Sequence, residues 1–92
     1  MRIDFSKVTV HTTFEGEPDV IDYRKSLGNN IRKMTGDIGL DEFARKIYFS
    51  DGEIDVPHEF VPRILEVVQE KYIVATQEAF NKLLTINKED KK

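Results

Sequence analysis

The stretch Leu40 to Tyr48, LDEFARKIY, places Leu40, Phe43, Ala44, Ile47 and Tyr48 at the i, i+3, i+4, i+7, i+8 spacing that lines one side of a helix. Asp41, Glu42, Arg45 and Lys46 fill the other side with charge and make it a solvated face. A helix patterned this way needs a packing partner, and the flanking sequence supplies several.

Upstream, Tyr23, Leu27, Ile31 and Met34 repeat at i, i+4, i+8, i+11 and predict a first helix over about 23–35. Asp22 is its expected N-cap and Gly36 its stop. Gly28 weakens the middle of that helix by up to about 1 kcal/mol against alanine, so it either permits close helix approach or marks a kink. Asp37-Ile38-Gly39 leads into the second helix, over about 40–49.

The N-terminal part reads as extended from Ile3 to Phe14. Ile3 and Phe5 alternate with polar neighbours, and Val8, Val10 and Thr12 alternate again after a slip in phase. A bulge or turn at Ser6-Lys7 restores one buried face, because a one-residue slip sends every later side chain to the wrong side. Glu15-Gly16-Glu17-Pro18 turns the chain, and a strand over Asp19 to Ile21 closes an antiparallel hairpin. Glu53 to Val56, after the turn Ser50-Asp51-Gly52, is expected to join it as a third, edge member.

Pro57 and Pro62 bracket the next helix entrance, where a missing amide costs nothing. Val61, Ile64, Leu65 and Val68 predict a helix over 61–70. Thr76 as cap, with Ala79, Phe80, Leu83 and Leu84, predicts another over 75–85; one continuous helix across 58–86 is the alternative. The run Asn87 to Lys92, NKEDKK, is too polar to pack and is expected to be a disordered tail. The expected product is one α+β domain over residues 1–86. A small antiparallel sheet, the N-terminal hairpin plus a short third strand, packs against three or four helices.

At 92 residues with 39% hydrophobic and 34% charged side chains, the chain suits one globular domain with a thin core. It has no cysteine, which removes disulfide scaffolds, thiolate metal sites and thiol nucleophiles. The segment MRIDFSKVTV places Asp4 where a secretory signal needs a continuous apolar run, and no apolar run reaches membrane-spanning length. A cytoplasmic location is expected.

Charge is unevenly placed. Residues 1–22 hold two basic and five acidic side chains, residues 23–48 six and three, and residues 49–92 six and nine. A positive middle between negative ends suits an acidic partner better than a phosphate backbone, which the net charge of −3 opposes.

Reaction chemistry finds no foothold. Asp51 to Phe60 has the order of the second half of an EF-hand loop, but that register puts Ile47, Phe49 and His58 where oxygen ligands are required. His11 and His58 lie in no metal-binding or base-forming spacing, and no P-loop, GxGxxG or GxSxG pattern occurs. No catalytic residue, metal site or cofactor is expected, and the chain is read as noncatalytic.

Two groups remain for binding. Arg24, Lys25, Arg32 and Lys33 lie opposite the apolar stripe of the first helix, with Lys25, Asn29, Arg32 and Lys33 grouped on one side. Tyr72, Ile73, Val74 and Phe80 are an apolar surplus that either completes the core or forms an association patch. A helix-turn-helix is not formed, because a turn, a short strand and Pro57 follow the second helix.

The order IDFSKVTV, VIDYRKSLGNNIR, GLDEFARKIYFSDGEIDVP and AFNKLL resembles small uncharacterised proteins of gut-bacterial prophages and mobile elements. That resemblance implies an accessory or assembly role and assigns no active-site residue. The expectation is therefore a protein-protein interaction module, self-associating as a homodimer through its C-terminal helical region. Tyr72, Ile73 and Phe80 would be its anchors, and Arg24, Lys25, Arg32 and Lys33 would orient an acidic surface. The alternative is a nucleic-acid-associated regulator using the basic face of the first helix; neither a membrane nor a small-molecule substrate is inferred.

Overall fold

In the computed structural model, which describes the backbone over residues 1–90 and side chains through Leu84, the element order is β1 (Arg2–Ile3), β2 (Val8–Val10), β3 (Asp19–Ile21), α1 (Arg24–Met34), α2 (Ile38–Tyr48), β4 (Ile54–Asp55), a 3-10 turn at His58–Phe60, α3 (Val61–Lys71) and α4 (Val74–Asp90). The α+β class read from the sequence is what forms.

The turn at Ser6-Lys7 settles the sheet phase. Asp4 Oδ1 accepts from the Ser6 amide at 2.9 Å and from Ser6 Oγ at 2.5 Å, and the Lys7 amide returns to the Asp4 carbonyl. This Asx-type turn lets Ile3, Phe5, Val8 and Val10 all face inward. The extended segment then ends at Val10 rather than Phe14. β2 and β3 pair antiparallel with Val8 opposite Ile21 and Val10 opposite Asp19, and Gly16 takes a positive φ of 90° in the connection.

Pairing differs from expectation in one respect: β4 joins β1, with Arg2 opposite Asp55 and Ile3 opposite Ile54, and leaves the hairpin two-stranded. The Val56 amide donates to the Met1 carbonyl at 2.6 Å and extends the β1–β4 ladder by one backbone bond. A Tyr23 amide bond to the Phe5 carbonyl at 2.9 Å ties the hairpin side to the first helix entrance.

Asp4 and Asp22 carry an acid-stability consequence. The two Ser6 donors hold the Asp4 carboxyl below the usual carboxylate range, and the Arg24 side chain and amide do the same for Asp22. A depressed folded pKa gives stability that is present above the unfolded value, about 4, and lost as pH falls through the folded value. Asp4→Ala is therefore expected to melt below the wild type at pH 7, with the gap closing at pH 3 in a thermal melt followed by circular dichroism.

The helices bury the faces that their periodicity assigns, with corrections at their ends. Leu40, Phe43, Ala44 and Ile47 of α2 are buried, while Tyr48 is only half-buried. Asp37 caps α2 by accepting from the Gly39 amide at 2.9 Å. In α1 the cap position falls on Tyr23, and Asp22 accepts the Arg24 amide from one residue further out. Met34, at the end of α1, is exposed rather than part of the buried stripe.

Residues 58–86 form two helices, and Pro62 sits harmlessly in the first turn of α3. Thr76 does not cap the second. α4 begins two residues earlier, and Thr76 is buried with its Oγ1 2.9 Å from the Tyr23 hydroxyl. The polar tail expected over 87–92 lies outside the residues whose side chains are described.

At the centre, Phe80 is fully buried among three other rings. It stacks on Phe5 at 6.3 Å between centroids and on Tyr72 at 6.3 Å, and meets Tyr23 edge-on at 5.3 Å. Those rings come from the N-terminal strand segment, the α1 entrance and the α3–α4 corner, so one cluster joins both ends of the chain.

Candidate interaction face

Gly28 explains how α1 and α2 meet. A Cβ built there would lie 2.9 Å from the Ala44 carbonyl oxygen and 3.1 Å from Tyr48 Cβ, so only a residue without a side chain allows this approach. Of the two roles the sequence left open for Gly28, close approach is the one used.

Along this contact runs an open groove of about 370 Å³. Buried Gly28 and Ala44 form its floor, and half-buried Asp41 and Tyr48 and exposed Asn29, Arg32, Arg45 and Phe49 complete its lining. Phe49 is 74% exposed although its ring packs edge-on against Tyr48 at 4.7 Å between centroids. Lys25 Nζ lies 6.0 Å from the Tyr48 centroid, within cation–π range.

Charge in the groove is only partly matched. Arg32 Nη1 donates to Asp41 Oδ2 at 2.9 Å, while Asp41 Oδ1 is buried with no hydrogen-bond partner. Among the described residues Arg45 makes no ion pair. The groove therefore offers a free guanidinium and one unmatched acceptor.

The opposite flank of α1 meets the α3–α4 corner. The Tyr72 hydroxyl lies 2.5 Å from Ser26 Oγ and accepts from Asn30 Nδ2 at 3.0 Å. Burial raises the Tyr72 pKa, against the opposing effect of these two hydrogen bonds. Next to it Ile73 and Val74 are 65% and 66% exposed.

The residues singled out from sequence thus separate into three groups. Phe80 belongs to the core and offers no surface, which corrects its reading as an anchor; Tyr72 is half-buried and locked, and Ile73 is left outside. Arg24 is a tether, bidentate to Asp22 and donating Nη1 to the Ser50 carbonyl at 2.6 Å. Lys25, Asn29, Arg32 and Lys33 remain exposed on α1 within one side of the helix; Asn29 and Arg32 line the groove toward α2, while Ser26 and Asn30 turn toward Tyr72.

Sequence reasoning missed Arg45, Tyr48 and Phe49 as site residues. Tyr48 was absorbed into the apolar stripe and Arg45 into the solvated face; the signal available was Phe49, an aromatic two positions past the last buried stripe residue. His11 lines a separate open groove with Lys7, Glu78 and Lys82 beside α4. Among the described residues no three His, Asp or Glu side chains come together as a metal site, and no helix is long and apolar enough to cross a membrane.

No protein-family model, curated protein or solved structure matches the chain. The resemblance to prophage and mobile-element proteins rests on its sequence pattern alone.

Proposed function

We propose that this protein is a noncatalytic protein-interaction module whose contact surface is the outward ridge of α1 together with its two aromatic flanks. The observation that carries this reading is the arrangement of the ridge. Lys25, Asn29 and Arg32 run beside Tyr48 and exposed Phe49, and Ser26 and Asn30 hold the Tyr72 hydroxyl, next in sequence to exposed Ile73. Aromatic and arginine side chains around small polar groups are the composition of binding hot spots, where a few residues carry most of the affinity.

A nucleic-acid regulator is the second reading, favoured by the cations on α1 and the free guanidinium of Arg45. Two features argue for protein instead. The net charge of −3 repels a polyanion at long range, and Asp41 inside the groove asks for a hydrogen-bond donor where a phosphodiester backbone brings only acceptors.

Photo-crosslinking from position 29, in cells that produce the protein, separates these readings. The expected product is a protein adduct that resists nuclease and disappears on Arg45→Glu. A nuclease-sensitive adduct would establish the second reading, and absence of any adduct would remove both.

A further inference from the structure

Residues 11–20 are exposed without interruption and carry the barest apolar side chain among the described residues. Phe14 is 111% exposed, as open as in an unfolded peptide, and Glu15, Glu17 and Asp19 follow it within five residues. A single exposed apolar residue is ordinary on a soluble protein. This one is held out by an ordered loop: Thr12 Oγ1 donates to Asp19 Oδ2 at 3.1 Å, Thr13 Oγ1 donates to the Glu15 carbonyl, and Gly16 makes the left-handed turn. Ordering before contact reduces the entropy lost on binding.

We infer that the hairpin tip of one copy docks in the α1–α2 groove of another, Phe14 entering between Tyr48 and the Gly28–Ala44 floor while Glu15 and Glu17 meet Arg45 and Arg32. This inference rests on the α1 face being a binding surface and names its occupant as a second copy of the chain. Three matches support that choice. The groove is within the size range of about 300–1,000 Å³ that accepts compact ligands, and Tyr48 and Phe49 give its lining two aromatic rings. The rim guanidinia are complementary to the carboxylates flanking Phe14, and carboxylate is the acceptor that arginine holds best. A peptide loop also brings backbone N–H groups, the donors that Asp41 Oδ1 lacks.

The Arg32–Asp41 pair does not block this docking. Its Arg32 side chain is 62% exposed, and exposed ion pairs are weak enough to exchange for a better partner. Tip and groove are different patches, so the contact is heterologous: it builds a chain of copies unless two copies satisfy each other reciprocally.

The test uses sedimentation equilibrium on the purified full chain and three variants: Phe14→Ala, which removes the tip, Arg45→Glu, which disables the groove, and Lys82→Glu, which alters the separate groove beside α4. All three positions are exposed, and unchanged melting curves establish that each variant folds. Wild type is expected to gain mass with concentration, and Phe14→Ala and Arg45→Glu each to weaken that association by about tenfold or more. Mixed together, these two variants are expected to recover a one-to-one dimer at a concentration where each alone is monomeric, because one supplies the groove and the other the tip. Wild type that stays monomeric overturns the inference, as does association lost on Lys82→Glu but kept on Arg45→Glu, which would place the tip beside α4. Adducts from position 29 to a different protein, with wild type monomeric, would sink the copy-to-copy contact and leave the face standing; with no adduct at all, both fall.

Discussion

Phe80→Ala is expected to cost about 3–5 kcal/mol of folding stability, a large fraction of the total for a domain of this size. The side chain is fully buried and touches the rings of Phe5, Tyr23 and Tyr72, so truncation opens a cavity between segments that are far apart in sequence. The thin core offers little material to collapse into that space. Urea unfolding measures the loss as a lower midpoint. A midpoint shift equivalent to less than about 1 kcal/mol would show that Phe80 is not the hub of the core. Tyr72→Phe makes the comparison specific, because it keeps the ring and removes only the hydroxyl shared with Ser26 and Asn30.

The second large effect is expected at Gly28. Gly28→Val is predicted to cost about 2–3 kcal/mol, since overpacking a close helix contact forces backbone to move and exceeds the gain in helix propensity over glycine. The nearest obstacle is the Ala44 carbonyl, which cannot rotate away as a flexible side chain would. Gly36 supplies the control: nothing lies within 4 Å of a Cβ built there, and its backbone is not left-handed, so Gly36→Ala should change stability by less than about 1 kcal/mol in either direction. Equal losses at both glycines would contradict the close-approach account. Gly28→Val also spreads the groove floor and should weaken self-association under conditions where the protein remains folded.

What could be read from sequence follows from which signals are local. The stripe Leu40, Phe43, Ala44 and Ile47 is a property of nine adjacent residues, and it buried as read. The slip between Phe5 and Val8 was legible for the same reason, because Asp4 and Ser6 make their turn with each other. The partner of β4 was not legible: β1 and the hairpin strands are all only two or three residues long, and the backbone bond from Val56 to Met1 that extends the β1–β4 ladder leaves no mark in side-chain pattern.

Tyr72, Ile73, Val74 and Phe80 show the same limit at the surface. Their apolar character was evident, but which of them turn inward depends on where α4 crosses the N-terminal strands. Phe80 goes to the centre, Tyr72 packs half-buried, and Ile73 and Val74 stay outside. Position 76 is the sharpest case, since a threonine that looks like a helix cap is the buried partner of a tyrosine 53 residues away. Phe14 read as part of a strand because alternation continues almost to it, and only the pairing that ends at Val10 and Asp19 shows it to be a bare loop residue.

Amide chemical shifts of the isotopically labelled wild type, recorded across a concentration series, test most directly whether the side chains left outside the core are placed for adhesion. The account predicts that shifts move with concentration in two groups, residues 13–17 of the hairpin tip and the groove residues Asn29, Arg32, Arg45, Tyr48 and Phe49, and that Phe14→Ala abolishes both together. Shifts that stay constant to millimolar concentration, or that move on a different face, would contradict it.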